Sequence, residues 1–114
     1  MATSTVRVMN ERTLTSGDEM SLDEAQDLAP FDTLDLVIHV LSAAEGDAPS
    51  LTLKHAAFNE DGRYLDFAAA VTVDLSATGS HWFRIDAFTR YLGWFLSGTL
   101  TGDAVVTLDV VARG

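Results

Sequence analysis

The residues of this 114-residue chain best suited to move a proton or hold a metal are three histidines, His39, His55 and His81, and 17 carboxylates. Each histidine falls on a different predicted strand, and none stands at a ligand spacing such as HExxH. No serine lies in a GxSxG elbow, and no glycine-rich phosphate loop of the P-loop or dinucleotide type is present. The Asp61 to Asp66 region lacks the full DxDxDG calcium pattern. Some pair among so many carboxylates is close by chance, but a glycosidase also needs a cleft and a raised pKa, which spacing does not supply. The reading is of a chain with no catalytic residues, no cofactor and no metal, which works by binding and assembly.

A second group with chemical character is aromatic. Trp82, Phe83, Phe88, Tyr91, Trp94 and Phe95 fall within fourteen positions. Two adjacent strands carrying such rings pack them across the pair as core and rim. The functional alternative is an exposed platform that stacks on sugar rings or anchors a protein interface. Trp94 and Phe95 are sequence neighbours, so in a strand they point to opposite faces and one ring leaves its own core. An exposed apolar ring is a liability in a monomer. The expected interface residues are therefore Trp94 and Phe95, together with Val37 and Leu41, which give their strand a second apolar face.

The elements that must position these residues read as strands from Asp32 onward. Leu34, Leu36, Ile38 and Val40 share one face of an extended segment, with Asp35, Val37, His39 and Leu41 on the other. The run Glu45 to Pro49 is expected to break the chain. Ser50 to Phe58 is the next strand, with Leu51 and Leu53 inward, and Asn59-Glu60-Asp61-Gly62 reverses it into a hairpin. Alternation resumes over Asp66 to Leu75, turns at Ala77 to Ser80, and continues in His81 to Ile85, Tyr91 to Thr99 and Ala104 to Ala112. Six strands about 12 residues apart, without a convincing long helix between them, predict an all-β antiparallel sandwich of jelly-roll-like type. Val6 to Met9 is a further candidate strand. Ser21-Leu22-Asp23-Glu24 fits a capping box, so residues 20–29 form either a short helix before Pro30 or an irregular acidic strand.

Composition bounds the function. A length of 114 residues predicts one domain, residues 1–114, with an N-terminal arm or acidic segment over about residues 1–30. Hydrophobic residues at 47% and charged residues at 21% are globular proportions, so the chain should fold unaided. A net charge of −10 and seven dispersed basic residues exclude nucleic acid and anionic membranes as expected partners. Without cysteine there are no disulfides or thiolate metal sites, so stability must come from the core and from subunit contacts. No signal peptide is read over Met1 to Asn10 and no stretch suits a bilayer span, so synthesis in the cytoplasm is expected. The polar segment Ala2 to Thr15, not needed for the core on this reading, is expected to be free to reach a neighbour.

The order of these elements resembles the small jelly-roll or β-sandwich proteins encoded among phage structural genes. The residues that carry the resemblance are Asp27-Leu28, Pro30 to Val40, Pro49 to Leu53, Asp61-Gly62, Arg90-Tyr91-Leu92 and Ala104 to Ala112, which together span most of the chain. The acidic stretch Asp18 to Asp27 departs from that pattern. The resemblance implies a virion location and a non-enzymatic decoration or cement protein on a capsid exterior. Its implied partners are copies of itself, as a trimer, and a major capsid or other particle protein. A tail, baseplate or spike component comes next. The expectation from a different class is a carbohydrate-binding module, with Trp82, Tyr91 or Trp94 stacking on a sugar.

Overall fold

The computed structural model describes residues 3–114; Met1 and Ala2 lie outside the described residues. Eight strands follow in order: β1 Thr3–Leu14, β2 Gln26–Asp27, β3 Thr33–Ser42, β4 Glu45–Ala56, β5 Leu65–Asp74, β6 Gly79–Ile85, β7 Tyr91–Thr101 and β8 Ala104–Arg113. They form two four-stranded sheets, sheet A in the order β1-β8-β3-β6 and sheet B in the order β2-β7-β4-β5. All pairings are antiparallel. First pairs with last, second with seventh, third with sixth and fourth with fifth, the wrapping of a double-sheet jelly roll. Among the described residues no helix is long and apolar enough to cross a membrane.

The core is built from alternate positions along the strands. Leu34, Leu36, Ile38 and Val40 of β3 and Val106, Leu108 and Val110 of β8 pack in one cluster with Leu51 and Leu53 of β4 and Val71 and Val73 of β5. Side chains of both sheets interdigitate there, since only a covered inner face removes this apolar area from water.

Three expectations change in the structure. Glu45 to Pro49 does not break the chain but opens β4, pairing with β7 on both sides of a register shift between Asp47 and Ser50. Pro49, which has no N–H to give a ladder, sits in that bulge, and its carbonyl accepts the Leu75 N–H at 2.9 Å. Across the bulge, Gly98 (φ +75°) must be glycine, because a Cβ there would stand 2.1 Å from the Ala48 carbonyl oxygen.

The segment read as a polar arm is largely β1. From Thr3 to Leu14 it pairs along β8, and it buries Met9 and Leu14 in the core. Two register shifts bend the strand, which hides its apolar alternation from a period-2 reading. Residues 20–29 resolve as a single 3₁₀ turn, Leu22–Glu24, followed by β2. The Ser21 N–H donates to the Glu24 carboxylate at 3.1 Å, which is half of the expected capping box.

Candidate functional site

The candidate chemical residues do not converge. His39 on β3 has Nδ1 2.7 Å from Ser80 Oγ. His55 on β4 accepts the Thr89 N–H at its Nδ1, 3.1 Å away, and stacks on Phe67 with ring centroids 4.9 Å apart. His81 pairs in register with Ile38 on the other side of the sandwich. Among the described residues no group of three or more histidine, aspartate or glutamate side chains is placed to hold a metal ion.

The expected interface residues separate between the core and two outer faces. Trp94 faces the core and is 1% exposed, because it opposes the inward Leu53 across β4. That burial corrects its assignment to an interface. The Arg12 guanidinium lies 4.6 Å from the Trp94 ring centroid, and the indole N–H has no acceptor among the described residues. Phe95, on the outer face of sheet B, is half-buried against Tyr64, with Lys54 Nζ 5.3 Å from its ring. It borders an open hollow of about 400 Å³ lined also by Glu19, Met20, Asp61 and Leu96. Val37 and Leu41 lie on the outer face of sheet A.

That outer face is built in rows that run across the strands. One row reads Arg7, Asp109, Val37 and Trp82 through β1, β8, β3 and β6. The next reads Thr5, Val111, Asp35 and Arg84, and the third Thr3, Arg113 and Thr33. Directly opposed residues on one face are close enough for their side chains to meet, and the charges here pair off accordingly. Arg7 grips Asp109 with Nε to Oδ1 at 2.7 Å and Nη2 to Oδ2 at 3.1 Å.

Asp35 is the buried charge of the face, at 5% exposure. It accepts Arg84 Nε at 3.0 Å, Trp82 Nε1 at 3.1 Å and Arg113 Nη1. Charge-assisted donation from Arg84 and Arg113 holds its carboxyl well below the usual carboxylate range. With the charges satisfied, what the face presents is Trp82, 66% exposed, next to the half-buried Val37. Trp82 was legible as part of an aromatic cluster. Its exposure was not, because which of two adjacent strands ends a sheet is a property of topology. The Asp35, Arg84 and Arg113 cluster has one sequence signal, an aspartate among the apolar outward positions of β3.

The outer face of sheet B is covered by the chain itself around Gly93, while Thr72, Asp74 and Ser97 of that face stay exposed. Met20 and Tyr64 close over Gly93, where a Cβ would come within 2.8 Å of the Tyr64 ring and 2.9 Å of the Met20 methyl. Asn59 ties the two coverings together, accepting the Tyr64 hydroxyl and donating to the Leu22 carbonyl, both at 2.7 Å. Trp82 and Tyr91 therefore lie on different sheets and Trp94 is inside, so the three rings make no common platform.

No protein-family model matches the chain, and no curated protein sequence matches it. A solved structure described as "Bacillus endospore appendages form a novel family of disulfide-linked pili" shares the fold: the TM-score is 0.51 at 11% identity, over 98% of this chain and 86% of the other.

Proposed function

We propose that this chain is a non-enzymatic structural subunit that associates with copies of itself within a larger protein assembly. The observation that carries this reading is the outer face of sheet A, where an exposed tryptophan stands beside Val37 among charges already paired within the chain. Exposed aromatic rings with desolvated neighbours are the usual anchors of protein interfaces. The shared fold with a chain described as forming pili supports the same reading. The disulfide linkage in that description has no counterpart here, because this chain has no cysteine. Its copies would be held without disulfides.

The narrower form of the proposal is a virion component, a capsid decoration or cement protein bound to a lattice of particle protein. Double-sheet jelly rolls recur in viral capsid domains, which supports it at the level of fold. Lectin domains use the fold as well, but the placement of Trp82 and Tyr91 on different sheets and of Trp94 in the core weighs against a sugar platform.

Density-gradient fractionation of the producing cells, followed by mass spectrometry, tests the reading. Cosedimentation with large particles is the expected result. A capsid or tail protein in the same fractions selects the virion form, and a fraction made of this chain alone selects an appendage. Recovery only in light fractions would sink the proposal and send attention to glycan binding.

A further inference from the structure

Four strands end the two sheets, and three of those edges are closed to a neighbour. β1 is bent by two register shifts and holds Glu11 at φ 47°. β2 is two residues long, and beyond it Glu19 bridges to Phe95 and Met20 Sδ receives the Trp94 N–H. β5 loops out residues 67–70 between its pairs Lys54↔Asp66 and Leu53↔Val71, and it carries Asp66 and Asp74. These are the devices by which natural edges avoid pairing: bulges, short strands, charges and cover.

β6 has no bulge, no acidic residue and no proline, and beyond its pairing with β3 only its Arg84–Ile85 end lies near another element, the looped-out Phe67, Ala68 and Ala69 of β5. Its register with β3 runs unbroken from Leu34↔Ile85 to Val40↔Gly79. Its seven residues, GSHWFRI, contain no carboxylate, lysine or proline, and its one arginine is held by Asp35. We propose that β6 is a self-association edge, at which two copies of this chain join β6 to β6 antiparallel and make one continuous eight-stranded sheet. The proposal rests on the reading of the chain as a self-associating subunit and names its surface.

Charge favours a second copy as the occupant. The chain carries −10 overall, so two copies repel at most approaches. On β8, β3 and β6, the outer-face rows that reach Trp82 and Arg84 hold Arg84 against Asp35 and Asp109, with Arg7 of β1 on Asp109 and Arg113 of the row beyond on Asp35. The acidic excess lies elsewhere, and the β6 edge is where copies meet without opposed carboxylates. A two-fold axis is the arrangement that uses this edge twice and requires no second open edge. Such an axis, perpendicular to sheet A, keeps both outer faces on one side. Trp82 is the middle residue of Gly79–Ile85, so all seven residues pair only when Trp82 opposes its counterpart and Ser80 opposes Arg84. The two exposed indoles then lie side by side over the new seam, an arrangement in which each shields apolar area that is wet in a single copy.

Sedimentation velocity across a concentration series reads the outcome, with Trp82→Lys, Leu41→Lys and Trp82→Cys compared with the unaltered chain. The expected result is a dimer or a multiple of it, dissociated by Trp82→Lys with the circular dichroism of the fold retained, and intact in Leu41→Lys. Opposed residues of an antiparallel pair have Cα atoms about 4.5–5.5 Å apart, within disulfide reach. Trp82→Cys, the sole cysteine in the chain, therefore forms a covalent dimer under mild oxidation. Dissociation by Leu41→Lys as well would mean face-to-face contact and overturn the edge proposal while leaving self-association standing. A trimer of the unaltered chain would do the same. A monomer at every concentration would overturn both.

Discussion

Arg90 grips the Asp27 carboxylate through two parallel hydrogen bonds, Nε to Oδ1 at 3.0 Å and Nη2 to Oδ2 at 2.8 Å. The Leu28 N–H meanwhile donates to the Arg90 carbonyl at 2.7 Å. Two sequence motifs 63 positions apart, Asp27-Leu28 and Arg90-Tyr91-Leu92, are thus one latch that pins β2 to β7. The ion pair is half exposed, and such pairs contribute little to global stability. Its role is local. Arg90→Ala is expected to leave the melting temperature nearly unchanged while hydrogen exchange at Gln26, Asp27 and Leu28 accelerates. The Arg90 donors and the Ala29 N–H lower the Asp27 pKa to about 2. A carboxylate with a depressed folded pKa stabilises above its unfolded value, about 3.9, and loses that contribution as pH falls toward 2. The protection of the β2 amides, relative to their intrinsic exchange rates at each pH, should therefore fall between those limits and stay flat from pH 5 to 8.

Asp35 is expected to matter more, because it is buried and accepts from three side chains. Asp35→Asn removes the charge that Arg84 and Arg113 share and leaves the Trp82 N–H with a poorer acceptor. Hydrogen bonds to charged groups contribute about 1.5–3 kcal/mol each when well shielded. Both arginines are partly exposed, which lowers that figure, so the variant should lose about 1–3 kcal/mol in total by urea unfolding. The Asp35 pKa is depressed on folding, so the unaltered chain loses this contribution only as the solution becomes acid, below about pH 4. A loss of stability on raising the pH from 5 to 8 that vanishes in Asp35→Asn would contradict this account.

The two tryptophans separate scaffold from surface. Trp94→Ala empties a fully enclosed site and should cost about 3–5 kcal/mol. Trp82→Ala gives up one hydrogen bond and little buried area, so its cost should stay near 1 kcal/mol. Trp94→Phe should cost much less than Trp94→Ala, since the indole N–H it removes has no acceptor among the described residues. Equal losses for Trp82→Ala and Trp94→Ala in thermal unfolding would mean that the outer face of sheet A is core in the assembled state.

What the sequence made legible was local. Alternation separated the two faces of β3 and placed Leu51 and Leu53 of β4 inward, because a period of two is imposed by each strand's own pleat. Trp94 and Phe95 were correctly split between faces by the same rule. Which of them is inward depends on the strand across from them, and Leu53 decides it from 41 positions away. β1 was legible only over Val6 to Met9 because its two bulges break the period, and β4 ran longer than expected because Pro49 falls in a bulge that tolerates it. The candidate site depended most on long-range pairing. Trp82 is exposed because β6 ends sheet A, and its neighbours Val37 and Asp109 come from β3 and β8.

Gly93 offers a test of how sheet B is covered. A methyl group there collides with the Tyr64 ring and the Met20 methyl, and the ring is held by its hydroxyl bond to Asn59. Overpacking of this kind costs about 1–3 kcal/mol when the neighbour cannot swing aside. Gly93→Ala should therefore destabilise, and Tyr64→Ala combined with it should cost less than the sum of the two single changes. Strict additivity would show that Tyr64 does not press on this position.

Removal of residues 3–14 should abolish folding. The stretch gives sheet A a strand and supplies Met9 and Leu14, both essentially inaccessible. Each long apolar side chain lost from a core costs about 2–5 kcal/mol, and losing the whole strand also leaves β8 unpaired along one side. A domain of this size has a total stability of about 5–15 kcal/mol, so a loss of two such residues and a strand consumes most or all of it. An arm used only to reach a neighbour would behave differently: its deletion would leave a folded chain that no longer assembles. Circular dichroism and sedimentation on the same truncated sample distinguish the cases. An unfolded or aggregated product is expected, and a soluble β-rich monomer would return residues 3–14 to the role of an arm.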